Sequence, residues 1–161
     1  MSVRVYVPTT RTLLRDVLAS GVAATEGASA YAVTDAVRSE LPDVDEEDRE
    51  YVASSAAAQA SVRLLRPDEP PRRAVLAVDV ASVREAQDPD DPARVVLGKV
   101  ATRQVAALLL DSADAGPSVD AARRAVLDGS GDAALLLELC LDHELGWWAA
   151  QEMAALLDED A

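Results

Sequence analysis

The chain has 161 residues, a length that suits one hydrophobic core, so we expect a single domain over residues 1–161. Half of the residues are hydrophobic, but there is no Phe, so the core is expected to consist of small and medium aliphatic side chains. The net charge of −14 repels phosphate backbones and argues against a nucleic-acid-binding protein.

The N-terminus predicts a strand followed by a helix. Residues 3–7 alternate Val with Arg or Tyr, which is typical of a β-strand. Thr9 and Thr10 then stand where a helix cap is expected, because apolar residues recur at helical spacing over residues 13–18. Gly21 suits the position that ends this helix.

A second short strand is predicted over residues 31–33. Thr34 can cap a brief helix that Pro42 ends. If this strand lies beside the first one, the helix between them forms a right-handed βαβ crossover.

A long helix is predicted from Asp45 to the Arg66-Pro67 dipeptide. Asp45 is a candidate N-cap, and three acidic residues follow it in the first turn, where the helix dipole favours negative charge. The expected buried stripe is narrow because most of its members are small: Tyr51, Ser55, Ala58, Val62 and Leu65.

The middle of the chain predicts further strands. Residues 74–80 carry apolar side chains on both parities, as in a strand covered on both faces. An Asp- and Pro-rich loop spans residues 88–92. Two extended runs follow over residues 95–100 and 105–110, and their spacing fits either a hairpin or one long bent strand.

The C-terminal third is predicted to be helical. Helices are expected over residues 119–127, 133–141 and 147–157, with Gly129 closing the first of them. The predicted fold is therefore α/β or α+β, with a single mixed sheet of about four or five strands, flanking helices and an N-terminal βαβ unit. A flavodoxin-like or Rossmann-like arrangement is the leading subclass by analogy.

No recognisable catalytic, metal or cofactor motif occurs. His143 is the only histidine and Cys140 the only cysteine. A metal site at these residues would need further histidine or cysteine ligands, and the chain has none. The run from Asp128 to Asp132 resembles half of a calcium loop but lacks its glycine and its glutamate. We expect no catalytic residue, no metal and no cofactor.

Two places remain as candidate binding sites. The junction at Thr9 and Thr10 presents backbone amides to an anion if it is more than a helix cap, and strand-to-helix turns in α/β sheets often face ligands. Trp147 and Trp148 are adjacent, so a helix would separate them by about 100° and could hardly bury both. Tryptophan is enriched at binding hot spots.

These sites give two hypotheses of function. The preferred one is a non-catalytic interaction or regulatory protein that binds itself or another protein through the C-terminal helices at Trp147 and Trp148. The alternative is a small-molecule-binding protein or unrecognised enzyme with a pocket near Thr9 and Thr10.

The expected location is the bacterial cytoplasm. The N-terminus lacks the apolar segment of about 7–15 residues that a signal peptide needs. The longest apolar stretch is too short to span a membrane, and the lone Cys140 fits a reducing compartment. No membrane partner is therefore expected.

Three short motifs carry a family resemblance: Arg4 to Thr10, Ala30 to Thr34, and Leu145 to Glu152. Together they resemble a family of small actinobacterial proteins known only as a domain of unknown function. The resemblance spans most of the chain. It implies no assigned catalytic residue, cofactor or substrate.

Overall fold

The computed structural model describes residues 2–159. Nine strands are β1 Val3–Thr9, β2 Val22–Ala24, β3 Ser29–Ala32, β4 Ala74–Val80, β5 Arg84–Glu85, β6 Arg94–Val96, β7 Val100–Ala101, β8 Val105–Asp111 and β9 Leu145–Ala149. Six α-helices of these described residues are α1 Arg11–Ser20, α2 Asp35–Glu40, α3 Glu46–Leu64, α4 Gly116–Asp128, α5 Ala133–Leu139 and α6 Met153–Glu159.

The main sheet has seven strands in the order β5-β6-β3-β1-β4-β8-β9, and β2 pairs with β7 in a small second sheet. The mixed α/β class with flanking helices and a strand-helix start is confirmed, but the sheet is larger than the four or five strands expected. The sheet is also antiparallel at every pairing rather than mixed.

The predicted βαβ crossover is wrong, because β3 runs antiparallel to β1, with Val5 opposite Ala32. The reason is the strand β2, which follows α1 and reverses the chain once more before β3 begins. Its three residues, Val22–Ala24, are too few and too small to show a strand pattern. The Rossmann-like and flavodoxin-like analogies fail with the crossover, since both need parallel strands.

The two extended runs after the Asp- and Pro-rich loop form neither a hairpin nor one bent strand. β6 pairs with β3 and β5, whereas β8 pairs with β4 and β9. Between them, β7 leaves the main sheet to pair with β2. The separation is a matter of tertiary pairing, which local spacing does not encode.

The central strands of the sheet, such as β4 and β8, are buried on both faces. One face packs against α1 and α6, through residues such as Leu14 and Leu157. The other packs against α3, where Ala53, Ala57 and Ala58 are fully buried. The predicted stripe on α3 is correct for Ala58, Val62 and Leu65, but Tyr51 is 53% exposed because the small residues Ala53 and Ala57 form the contact instead.

The predicted cap of α1 is confirmed. The Thr10 hydroxyl accepts a hydrogen bond from the Leu13 amide at 3.2 Å, and Gly21 ends the helix with φ = +75°. We expect Thr10→Ala to lower the free energy of unfolding by about 1 kcal/mol, because one amide of the first turn loses its acceptor. Thr12→Ala, inside the same helix, is the matched control. Urea unfolding checks the difference, and equal effects of the two substitutions would contradict the capping role.

Two buried tyrosines predict alkaline sensitivity. Burial raises the pKa of Tyr31 to about 12 and also raises the pKa of Tyr6, whose hydroxyl donates to Glu50 at 2.7 Å. A raised pKa in the folded state gives stability that is complete below the unfolded-state pKa and is lost as pH rises. For Tyr31 the loss falls between about pH 10 and pH 12.

We therefore expect the free energy of unfolding to fall over this pH range, and to fall less steeply in Tyr31→Phe. Urea titrations at a series of alkaline pH values measure the slope. An identical slope in wild type and Tyr31→Phe would show that Tyr31 does not contribute.

Candidate binding site

Trp147 and Trp148 lie on a strand, so the predicted helix over residues 147–157 is wrong in its first half and correct only from Met153 onward. They belong to β9, where Trp147 stands opposite Leu109 of β8 and Trp148 opposite Leu108. Alternation along the strand places the two indoles on opposite faces of the sheet, which no helix could do. Gly146 makes room for Trp148, since a Cβ at Gly146 would lie 3.3 Å from the indole Nε1.

The reason for this difference is the partner strand. Residues 145–149, Leu-Gly-Trp-Trp-Ala, do not alternate apolar with polar side chains, so their sequence carries no strand signal. The pairing edge of β8, a buried strand, decides their conformation. The C-terminal third is thus not wholly helical, and α6 begins only at Met153.

β9 is an edge strand of the main sheet. Among residues 2–159 it pairs only with β8. The amide of Ala149 donates to the Glu152 carboxylate at 2.8 Å rather than to β8. Amide directions alternate along an antiparallel strand, so the amides of Trp147 and Leu145 point away from β8 as well.

The two edges of the sheet differ in character. β5, at the far edge, has only two residues, Arg84 and Glu85, both charged. Short length and charge protect an edge from pairing with another chain. β9 has five uncharged residues, and Trp147 is 56% exposed. Of these two edges of the main sheet, the β9 edge has the properties of a surface that accepts another strand.

A buried ion pair fixes the start of β9. The Arg73 guanidinium donates to both carboxylate oxygens of Asp111, from Nε and Nη2 at 2.8 Å each, and both side chains are at most 1% exposed. Arg73 Nη2 also donates to the backbone carbonyl of His143 at 2.8 Å. Since Asp111 stands opposite Leu145, the pair ties the loop before β9 to the sheet.

A cleft of about 250 Å³ lies between α3 and the start of β9. Tyr51 and Trp147 line it together with His143, Glu144 and Arg73. The His143 Nε2 lies 3.2 Å from the Ser118 hydroxyl, which anchors the ring to α4. Trp147 and the charged side chains of Glu144 and Arg73 thus line one cleft, which the sequence did not predict.

Thr9 and Thr10 are both buried and have different roles. The Thr10 hydroxyl caps α1, and the Thr9 carbonyl accepts a hydrogen bond from Ser61 at 2.7 Å. Thr9 lines a groove of about 620 Å³, and the groove also contacts α1, β2 and the end of α3. Thr10 is not part of that lining. Of the two predicted residues, Thr9 borders this groove.

Cys140 and Ser130, which the sequence singled out, have structural roles. Cys140 is buried, and burial raises the pKa of its thiol, so it is a poor nucleophile. The Ser130 hydroxyl accepts a hydrogen bond from the Asp132 amide in the turn between α4 and α5. Within residues 2–159, no group of three or more His, Cys, Asp or Glu side chains is arranged to hold a metal ion.

Sequence reasoning missed the edge strand, the Arg73–Asp111 pair and the cleft. Arg73 and Asp111 are 38 residues apart, and no local signal links them. One signal was available for the edge, since two adjacent tryptophans that a helix could hardly bury together suit the alternation of a strand.

Comparison with known proteins places the chain in a family but assigns no activity. No helix within the described part of the chain has the length and apolar character that crossing a membrane requires. No curated protein and no solved structure matches the sequence. The model of one sequence family matches residues 3–157, which is nearly the whole chain. The chain therefore belongs to DUF6912, a family of unknown function.

Proposed function

We propose that this is a non-catalytic interaction protein of the bacterial cytoplasm that binds an extended segment of another protein along β9. The observation that carries the proposal is the open edge, with outward amides at Leu145 and Trp147 beside an exposed indole. An incoming strand would gain main-chain hydrogen bonds from this edge and side-chain contacts from the tryptophans. The proposed interface still lies in the C-terminal region at Trp147 and Trp148, but it is formed by the strand β9 and not by helices.

Charge favours another protein over a second copy of this chain. Carboxylates flank β9 on both sides, since Glu144 directly precedes the strand and Glu152 follows it. A two-fold antiparallel pairing would therefore bring carboxylates of the two copies toward each other. Each copy also carries a net charge of −14, so the two copies repel. The preferred partner is therefore an extended segment with an apolar centre and basic flanks.

A random peptide library displayed on phage tests the pairing. Trp147→Pro removes the outward amide at a position where an edge strand tolerates proline, and Trp147→Val removes the indole but keeps the amide. We expect peptides selected on the wild type to bind Trp147→Pro at least about tenfold more weakly than Trp147→Val, a difference of about 1.4 kcal/mol. Calorimetry measures both affinities.

Two results would overturn the proposal. One is a selection that enriches no peptide with alternating apolar residues. The other is equal affinity of the selected peptides for the two variants. Circular dichroism and urea unfolding establish that both variants are folded before the comparison, and analytical ultracentrifugation reports self-association if the second copy is the true occupant.

A second candidate function is small-molecule binding at the groove beside Thr9. Its volume of about 620 Å³ lies in the range of ligand pockets, and its lining is largely apolar. A thermal-shift screen with a metabolite panel tests it, because a ligand at 100 times its Kd adds about 2.7 kcal/mol of stability. A ligand of this groove should lose its effect in Ala24→Leu, which fills the space, and a panel without any stabilising compound would count against the site.

A further inference from the structure

We propose that the cleft between α3 and β9 receives a guanidinium or ammonium side chain of the segment that pairs with β9. The inference rests on the proposed function and adds the chemistry that selects the partner. Strand addition supplies affinity through the main chain, whereas specificity comes from pockets that take alternate side chains. The cleft adjoins Trp147, so it lies where such a side chain would reach.

Aromatic side chains form part of the cleft wall. The chain has five aromatic side chains, two Trp and three Tyr, and two of the five, Tyr51 and Trp147, line this cleft. Both are more than half exposed. Aromatic faces attract cations, most strongly for tryptophan. The Arg4 guanidinium carbon lies 5.9 Å from the Trp147 ring centroid, and Arg4 does not line the cleft. The Trp147 indole therefore already contacts one cation of the chain itself.

The side chains that line the cleft carry one unpaired negative charge. Glu144 is exposed at the cleft and forms no ion pair or side-chain hydrogen bond within residues 2–159. The one cationic side chain of the lining, Arg73, is neutralised by Asp111 at 2.8 Å. The uncompensated charge of the cleft is therefore the Glu144 carboxylate, and an entering group should be positive.

Size and direction agree with a side chain as the occupant. At about 250 Å³ the cleft is smaller than most ligand pockets, and it suits one long side chain. Side chains of a strand paired with β9 alternate between the two faces of the sheet. Those on the α3 face lie on the same side as Trp147 and reach the cleft, whereas those on the other face meet Trp148.

The test uses small probes that need no partner. N-acetyl-arginine amide is titrated into the protein up to tens of millimolar, with N-acetyl-glutamine amide and N-acetyl-glutamate amide as controls, while the two indole NH resonances are followed by NMR. We expect the arginine probe alone to shift the Trp147 resonance and to leave Trp148 unchanged. Glu144→Gln and Tyr51→Ala should each weaken binding about fivefold, and Glu138→Gln, an exposed carboxylate outside the cleft, should not.

The outcomes separate this inference from the proposed function. Equal shifts with the arginine and glutamine probes, or unchanged binding by Glu144→Gln, would overturn the cation site even if library peptides pair with β9. If the arginine probe binds as expected but library peptides do not distinguish Trp147→Pro from Trp147→Val, strand addition fails and the bound cation does not come from a paired strand. Library peptides that lack a basic residue at a fixed position would also overturn the inference.

Discussion

Asp111→Ala is expected to lower the free energy of unfolding by about 3–5 kcal/mol, because it leaves the Arg73 charge buried without its counter-ion. Asp111 is 0% exposed, and besides the guanidinium it accepts a hydrogen bond from the Arg73 amide at 2.8 Å. Its loss therefore removes the acceptor of three hydrogen bonds that Arg73 donates from its amide, Nε and Nη2. Urea unfolding measures the change.

The matched control is Asp114→Ala, which removes an exposed carboxylate on the turn after β8 and should change stability by less than about 0.5 kcal/mol. Replacing both partners, Arg73→Met with Asp111→Leu, should cost much less than Asp111→Ala alone, since no charge is then left buried. A loss below about 1 kcal/mol in Asp111→Ala would mean that the pair contributes little to the fold.

The same ion pair links stability to the proposed interface. Arg73 holds the His143 carbonyl, and Asp111 stands beside the first residue of β9. Weakening the pair should release the loop before the edge strand and enlarge the cleft. Asp111→Ala is thus expected to weaken peptide binding even at temperatures where the protein stays folded.

Sequence reasoning succeeded where the signal is local. The sequence predicts helix caps at Thr10, Thr34 and Asp45, and each of these side chains accepts a hydrogen bond from an amide of the first helical turn. Consecutive apolar residues predict a doubly covered strand over residues 74–80, and this strand, β4, lies near the middle of the main sheet. In these segments the local preference of the sequence agrees with the conformation in the folded chain.

It failed where pairing between distant segments decides. The five residues of β9 adopt a strand because β8 offers them an edge, and helix spacing around them was misleading. The direction of β3 depends on the small strand β2, which pairs with a segment about eighty residues away. The cleft could not be predicted for the same reason, because it forms only where α3, the 141–145 segment and β9 come together in the fold.

Leu108→Ala is expected to cost about 2–5 kcal/mol, through lost apolar burial and the cavity left behind. Leu108 is 0% exposed on β8, between Leu76 on one side and Trp148 on the other. Because this core contains no Phe and little other bulk, few neighbours can move in to fill the space.

Leu127→Ala is the matched control, because Leu127 is 56% exposed and its truncation should cost less than about 1 kcal/mol. Leu108 faces the side of the sheet that carries Trp148, so the cleft at Trp147 on the opposite face should keep its affinity for N-acetyl-arginine amide while the protein remains folded. Chemical denaturation and the NMR titration together measure both effects. A destabilisation no larger than that of Leu127→Ala would mean that the sheet relaxes around the lost side chain, and the core would then be less closely packed than its burial indicates.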